Sequence, residues 1–335
     1  MKPHLPILAI VGPTAVGKSD VAMALARTLP VEIVVADSQQ IYRGLNIGTS
    51  KPSAAARAEV PHHGLDLSDP RVQYTTGQYL HDVVPVIQGI QERGKIPLGV
   101  AGTGLYLRAL MKGLWPSPPA DHDRRAAWQK MVDEQGHEMA YQKLREVDPD
   151  SAGRIDPRNT KRVIRALEVF EQTGRTFSSW LAETAPPLKG SWLIIGLTRP
   201  RGVLRRRIHD RVEVMFKQGW VEEVKMLLDQ GISLEAPGFQ ALGYREIVEL
   251  VKGKSVRYEV VRQIIDWTRQ YAKRQETWFR HEPVDVWFDL EKKSLDEVVE
   301  HCGLRISDFG FNAKSGNSTL GISNPQSAIR NPQLS

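Results

Sequence analysis

The chain has 335 residues, 41% hydrophobic and 25% charged, the balance of an ordinary soluble globular protein long enough to bury a sizeable core. Its single cysteine, Cys302, excludes a disulfide framework and a cysteine zinc cluster, and with no secretory signal the expected compartment is a reducing cytoplasm. A formal net charge of +6 is compatible with a polyanionic partner without requiring one.

The first third alternates in the α/β manner. The apolar run Leu5–Val11 is too short to cross a membrane and reads as a buried strand. Ser19–Thr28 reads as a helix, Val31–Ala36 as a buried strand, Tyr79–Arg93 as a helix and Ile96–Ala101 as another buried strand. Short apolar runs joined by helices imply a parallel sheet covered on both faces. The proline-rich stretch Trp115–Ala120 ends this layout. The next segment looks all-helical, with Arg124–Gln135, Glu138–Glu146 and Thr160–Thr173, the last stopped by Gly174. Trp192–Leu197 returns to the sheet. Helices follow at Val203–Gln218, Val221–Gln230 and Val256–Phe279, and Val284–Leu290 reads as a last strand. The expected organisation is therefore a core formed by 1–117 and 189–308, a helical insertion at 118–188, and a tail at 309–335. That tail is rich in Ser, Asn, Gly and Pro and is expected to be disordered.

Gly12-Pro13-Thr14-Ala15-Val16-Gly17-Lys18-Ser19 matches the phosphate-binding pattern G-x-x-x-x-G-K-[ST], with an apolar strand leading in and a helix leading out. In that setting backbone N–H groups and a helix N-terminus converge on a phosphate, Lys18 adds a point charge, and the Ser19 hydroxyl is placed to ligate Mg²⁺. The fold expected is thus a P-loop NTPase-like parallel sheet with an all-helical domain inserted. Phosphate binding does not imply hydrolysis. A P-loop hydrolase normally supplies a second strand ending in an acid, yet Ile96–Ala101 ends in Gly102-Thr103-Gly104. Val31–Ala36 does end in a carboxylate, Asp37, followed by the amide-rich turn Ser38-Gln39-Gln40.

The run Asp37–Pro52 (DSQQIYRGLNIGTSKP) resembles the signature of the tRNA dimethylallyltransferases, which prenylate N6 of the adenosine immediately 3′ of the anticodon. GPTAVGKS (12–19), GTGLYLRAL (102–110), KRVIRALEV (161–169), GFQALGYREI (238–247) and YAKRQETWFR (271–280) match in order. The resemblance implies a loop that holds dimethylallyl diphosphate rather than a nucleotide. Gly12 to Ser19, with Mg²⁺ on Ser19 and with Arg125, would stabilise the departing diphosphate. Asp37 would orient the adenine amine and accept its proton. A strand-end carboxylate that holds Mg²⁺ or caps a turn is the alternative. Thr14 and Thr103 are expected near the reacting centre, as hydroxyl contacts to diphosphate and adenine. The tRNA-contacting set implied is Asp37, Ser38, Gln39, Gln40, Thr103, Arg125 and the run Lys161, Arg162, Val163, Ile164 and Arg165. The partner that the resemblance implies is the anticodon loop, with its target base flipped out, and the enzyme is expected to act as a monomer away from membranes.

Charge distribution is consistent with this. Between Arg199 and Lys217 seven basic residues face two acids, and two further basic groups lie at Arg154–Arg165 and Arg262–Arg280. Any one of these taken alone reads as a solvated helix face. Within the run, Lys161, Arg162 and Arg165 fall on one side of a helix, while Val163 and Ile164 turn away and pack. Trp267, Tyr271 and Trp278 are read as core, and Arg245 as a weaker RNA contact. Three rivals remain: an isopentenyltransferase of free adenine nucleotides, a P-loop kinase whose lid would be the arginine-rich 205–211 helix, and a non-enzymatic RNA-binding module.

Overall fold

A computed structural model describes residues 5–115 and 118–307. The expected tail at 309–335 lies outside the described residues. The elements of the first part are β1 (Ile7–Val11), α1 (Lys18–Thr28), β2 (Val31–Ala36), α2 (Ala54–Glu59), β3 (His62–His63), α3 (Thr76–Glu92), β4 (Ile96–Ala101) and α4 (Gly104–Lys112). Then come α5 (His122–Gln135), α6 (His137–Val147), α7 (Pro149–Ala152), α8 (Thr160–Thr173) and α9 (Phe177–Ala182). The chain returns through β5 (Trp192–Thr198), α10 (Arg201–Lys217), α11 (Trp220–Asp229), α12 (Tyr244–Val251), α13 (Arg257–Arg280), β6 (Val286–Asp289) and α14 (Leu295–Ser307).

The six strands form one parallel sheet in the order β3-β2-β4-β1-β5-β6. Every residue of β1 and β2 is buried, as expected of strands with helices on both faces. β1 lies between β4 and β5, so the chain leaves it at a reversal of strand order, where α/β sheets bind ligands beyond the strand carboxyl ends. The phosphate-binding motif and Asp37 both fall at that edge. Helix α14, not anticipated from the periodicity, packs on α1 and buries Val298, Cys302 and Ile306. Burial pushes the Cys302 thiol up to about 12, so it stays protonated and inert. Helix α4 was also not anticipated, because its nine residues are too few to establish a helical period.

A second apolar cluster, separate from that of the sheet, joins α5, α6, α7 and α8 through Trp128, Val132, Leu144, Val163, Ile164 and Leu167. Val163 and Ile164 are 1% and 4% exposed. Their side chains pack within this layer and hold α8 in it. On α13, Trp267 is 42% exposed and so is not core. Tyr271, one turn on along the same face, lines the cleft beside the Gly12–Ser19 loop.

Candidate active site

The phosphate loop lies at the floor of a cleft of about 1070 Å³ bounded by α1, the segment after β2, α10 and α13. The N-cap of α1 is Gly17, which has no side chain to cap the helix, so the first amides of α1 receive no cap from it. Distant elements hold the loop. The guanidinium Nε of Arg207 donates to Ala15 O at 2.8 Å and that of Arg199 to Val16 O at 2.8 Å. The Thr14 N–H donates to Gln275 Oε1 at 2.8 Å, and Gln275 Nε2 donates to Gly102 O at 2.7 Å. Gln275 thus ties the loop after β1 to the loop after β4. With two of its carbonyls engaged from outside, the loop can turn its amides toward an anion.

Lys18 folds back on the loop, donating to Gly12 O at 2.8 Å and Pro13 O at 3.0 Å. Enclosure by the cleft walls, with the positive charge of Arg211, lowers its pKa to about 7 against the opposing pull of Asp37. The Asp37 carboxyl is raised above its ordinary value by burial, while the Gln39 N–H, Lys18 and Arg211 act in the other direction. These three groups therefore share one electrostatic environment, a usual property of reactive clefts.

Asp37 also caps its own turn, since Oδ1 accepts the Gln39 N–H at 2.9 Å. Its other oxygen lies against Gly102 so closely that a Cβ there would stand 2.1 Å from Oδ2. Only glycine at that position leaves the carboxylate where it is. The Thr103 hydroxyl accepts the Ser38 N–H at 2.9 Å and donates to Ser38 Oγ at 3.0 Å, which couples the two loops at the strand ends.

The cleft brings together Thr14, Ala15, Gly17, Lys18, Ser19, Asp37, Gln39 and Gln40 among the residues expected from sequence. Arg125 is elsewhere. It sits on α5, and its guanidinium donates to Glu168 Oε2 at 2.6 Å. Glu168 is fully buried and also accepts from Arg165 at 2.7 Å and from the Asp121 N–H at 2.7 Å. Lys161 and Arg162 are exposed on the same helix. Besides Lys18 the cleft is lined by Arg27, which is paired with Glu59, and by Arg207 and Arg211, spaced i, i+4 on α10. Their spacing was readable, but nothing local tells such a pair from a solvated face. Gln275 and Tyr271 were likewise visible only as part of the YAKRQETWFR run.

The residues present fit a magnesium ion. Mg²⁺ is usually held by one or two protein oxygens together with substrate phosphates and water, not by an all-protein cage. Ser19 and Asp37 are oxygen donors on the walls of one cleft, and no group of three or more His, Cys, Asp or Glu suited to a metal occurs among the described residues.

The sequence profile described as IPP transferase matches residues 40–282, and one described as isopentenyl transferase matches residues 5–60. The tRNA dimethylallyltransferase of Thermomicrobium roseum is 42% identical over 316 residues, covering 92% of this chain and 95% of that one. That of Syntrophobacter fumaroxidans is 44% identical over 292 residues, covering 85% and 84%. Among solved structures, the tRNA isopentenylpyrophosphate transferase of Bacillus halodurans aligns with a TM-score of 0.66 at 36% identity over 91% of this chain and 98% of that one. A eukaryotic dimethylallyltransferase captured acting on tRNA aligns with a TM-score of 0.76 at 25% identity, over 91% and 79%.

Proposed function

The chain belongs to the IPP transferase family, and from that premise we propose that it transfers a dimethylallyl group from dimethylallyl diphosphate to N6 of the adenosine immediately 3′ of a tRNA anticodon. The observation that carries this reading is a single cleft lined by a glycine-rich loop, the α10 arginines Arg207 and Arg211, the carboxylate of Asp37 and apolar side chains. The wall residues Val212, Met215, Trp220, Leu242 and Ile264 suit a five-carbon chain, not a ribose.

In the reaction, N6 attacks the allylic carbon, the carbon–oxygen bond to diphosphate breaks, and its electron pair leaves on the diphosphate. Lys18, Arg207, Arg211 and the amides at the start of α1 face the charge that develops there. Thr14 lies within the same loop. Ser19 and the diphosphate oxygens would hold Mg²⁺, which supplies further charge neutralisation when bound. Asp37 accepts the N6 proton, and burial raises its pKa toward the range where a carboxylate works as a base near neutral pH. Ser38, Gln39 and Gln40 present polar groups to the base, with Thr103 holding Ser38 in place. The exposed Lys161 and Arg162 form the face offered to the anticodon stem and loop, and the protein acts as a monomer in the cytoplasm.

Incubation with labelled dimethylallyl diphosphate, in parallel with tRNA and with AMP, tests the proposal. Label in tRNA alone is the expected result. Label in AMP alone would favour the free-nucleotide enzyme, and label in neither would refute both.

A further inference from the structure

Glu223, on α11, takes no part in the chemistry above. It is 3% exposed, and its carboxylate gathers four donors. Oε2 accepts the backbone N–H groups of Asn46 and Ile47, each at 2.8 Å, while Oε1 accepts the Gly48 N–H at 3.3 Å and the Tyr244 hydroxyl at 2.7 Å. Three successive amides around one carboxylate form an anion nest, closed here by a residue more than 170 positions away in sequence.

The same turn is wedged elsewhere. Gly48 lies so close to the Trp220 indole that a Cβ would stand 2.1 Å from its Nε1. Gln40 Nε2 donates to Thr49 O at 3.0 Å. Gly48, Thr49 and Ser50 then continue the wall of the cleft begun by Gln39 and Gln40. Gln39 and Ser50 give that wall polar side chains, which suit the edge of a purine better than an isoprenoid chain. The Gly12–Ser19 loop has its own supports in Arg199, Arg207 and Gln275, whose hydrogen bonds to it do not run through the turn.

We infer that Glu223 is a positioning residue that sets the 46–50 turn for the accepting base and governs productive binding of tRNA without governing that of the diphosphate. The inference rests on the transfer activity proposed above. Glu223→Gln keeps the side-chain shape but replaces one acceptor oxygen with an NH₂ that faces N–H and O–H donors. Steady-state kinetics with each substrate varied should show the KM for tRNA raised about tenfold, with the KM for dimethylallyl diphosphate near wild type, since sub-ångström placement governs reaction at such sites. If the Gln variant does not fold, Tyr244→Phe carries the test by removing a single donor, and the same split at about threefold is expected. An equal rise in both KM values, a loss of kcat that tracks melting temperature, or an unchanged tRNA KM in folded protein would overturn the inference. Wild-type protein that transfers no dimethylallyl group would instead overturn the function from which it starts.

Discussion

Two sets of arginines in this protein have opposite fates. Arg207 and Arg211 on α10 line the cleft beside Lys18; Arg207 donates to the Ala15 carbonyl and lies 3.7 Å from the exposed Asp20, whereas Arg211 has no carboxylate within ion-pair distance among the described residues. Arg125 and Arg165, in the helical layer, converge on the buried Glu168. Arg165 and the α10 pair come from basic runs that look alike in composition. A guanidinium committed to a buried carboxylate holds a fold together, whereas one left facing a cavity lacks a partner that a ligand can supply. Counting positive charge does not separate the two cases.

The sharpest way to break this comparison is at the anionic centre that the cleft cations face. Asp37→Asn keeps shape but removes basicity, and a single-turnover rate with both substrates saturating should fall by about 10²–10⁴-fold. An unaffected chemical step would refute the base assignment. Lost diphosphate or Mg²⁺ binding would instead move Asp37 to the metal site.

Arg211→Met should lower kcat/KM by about 10²-fold, as expected on removal of one cation from a site of developing charge. A near-normal value would put Arg211 with the structural arginines. The matching change in the helical layer is Glu168→Gln, which strips Arg125 and Arg165 of their shared partner. Urea unfolding should register a loss of about 2 kcal/mol, with the intrinsic rate of transfer on folded protein little changed. Lys161→Ala combined with Arg162→Ala should leave stability intact and weaken tRNA binding, flattening its salt slope by about 2 as fewer counterions are released. An unchanged slope would return that face to ordinary solvated surface.

The smallest expected effect is one of pH. Lys18 has a folded pKa of about 7, and a bound diphosphate would hold it protonated, raising that value. Affinity for diphosphate is therefore full below pH 7 and declines as pH rises through it, with proton uptake on binding at pH 8. Asp37 must be ionised, so the rate should rise on the acid side. kcat/KM is then bell-shaped, and Lys18→Arg, always charged, should remove the alkaline limb while keeping the acid one. An alkaline limb retained in that variant would assign it to another group.

The legibility of the molecule followed the range of the interactions involved. Thr160–Thr173 was bounded correctly from sequence because its cap at Asn159 and its stop at Gly174 are local. β2 and β4 were bounded correctly because apolar runs of that length between helices have few other solutions. β3 escaped notice because two histidines carry no strand period, and α14 because nothing in Leu295–Ser307 announces that it will cover α1.

By itself the sequence determined the glycine-rich Gly12–Ser19 loop between a strand and a helix, the strand-end position of Asp37 and the resemblance to a family, since each is written in contiguous residues whose backbone geometry is local. Only the tertiary structure decided which arginines face the cleft, that Val163 and Ile164 are buried, that Gln275 braces the loop and that Glu223 holds the turn at 46–50. Those assignments depend on side chains 40 to more than 250 residues apart meeting at donor–acceptor distance. Periodicity along a chain carries no information about such meetings, because they are set by how separately formed helices pack across one sheet.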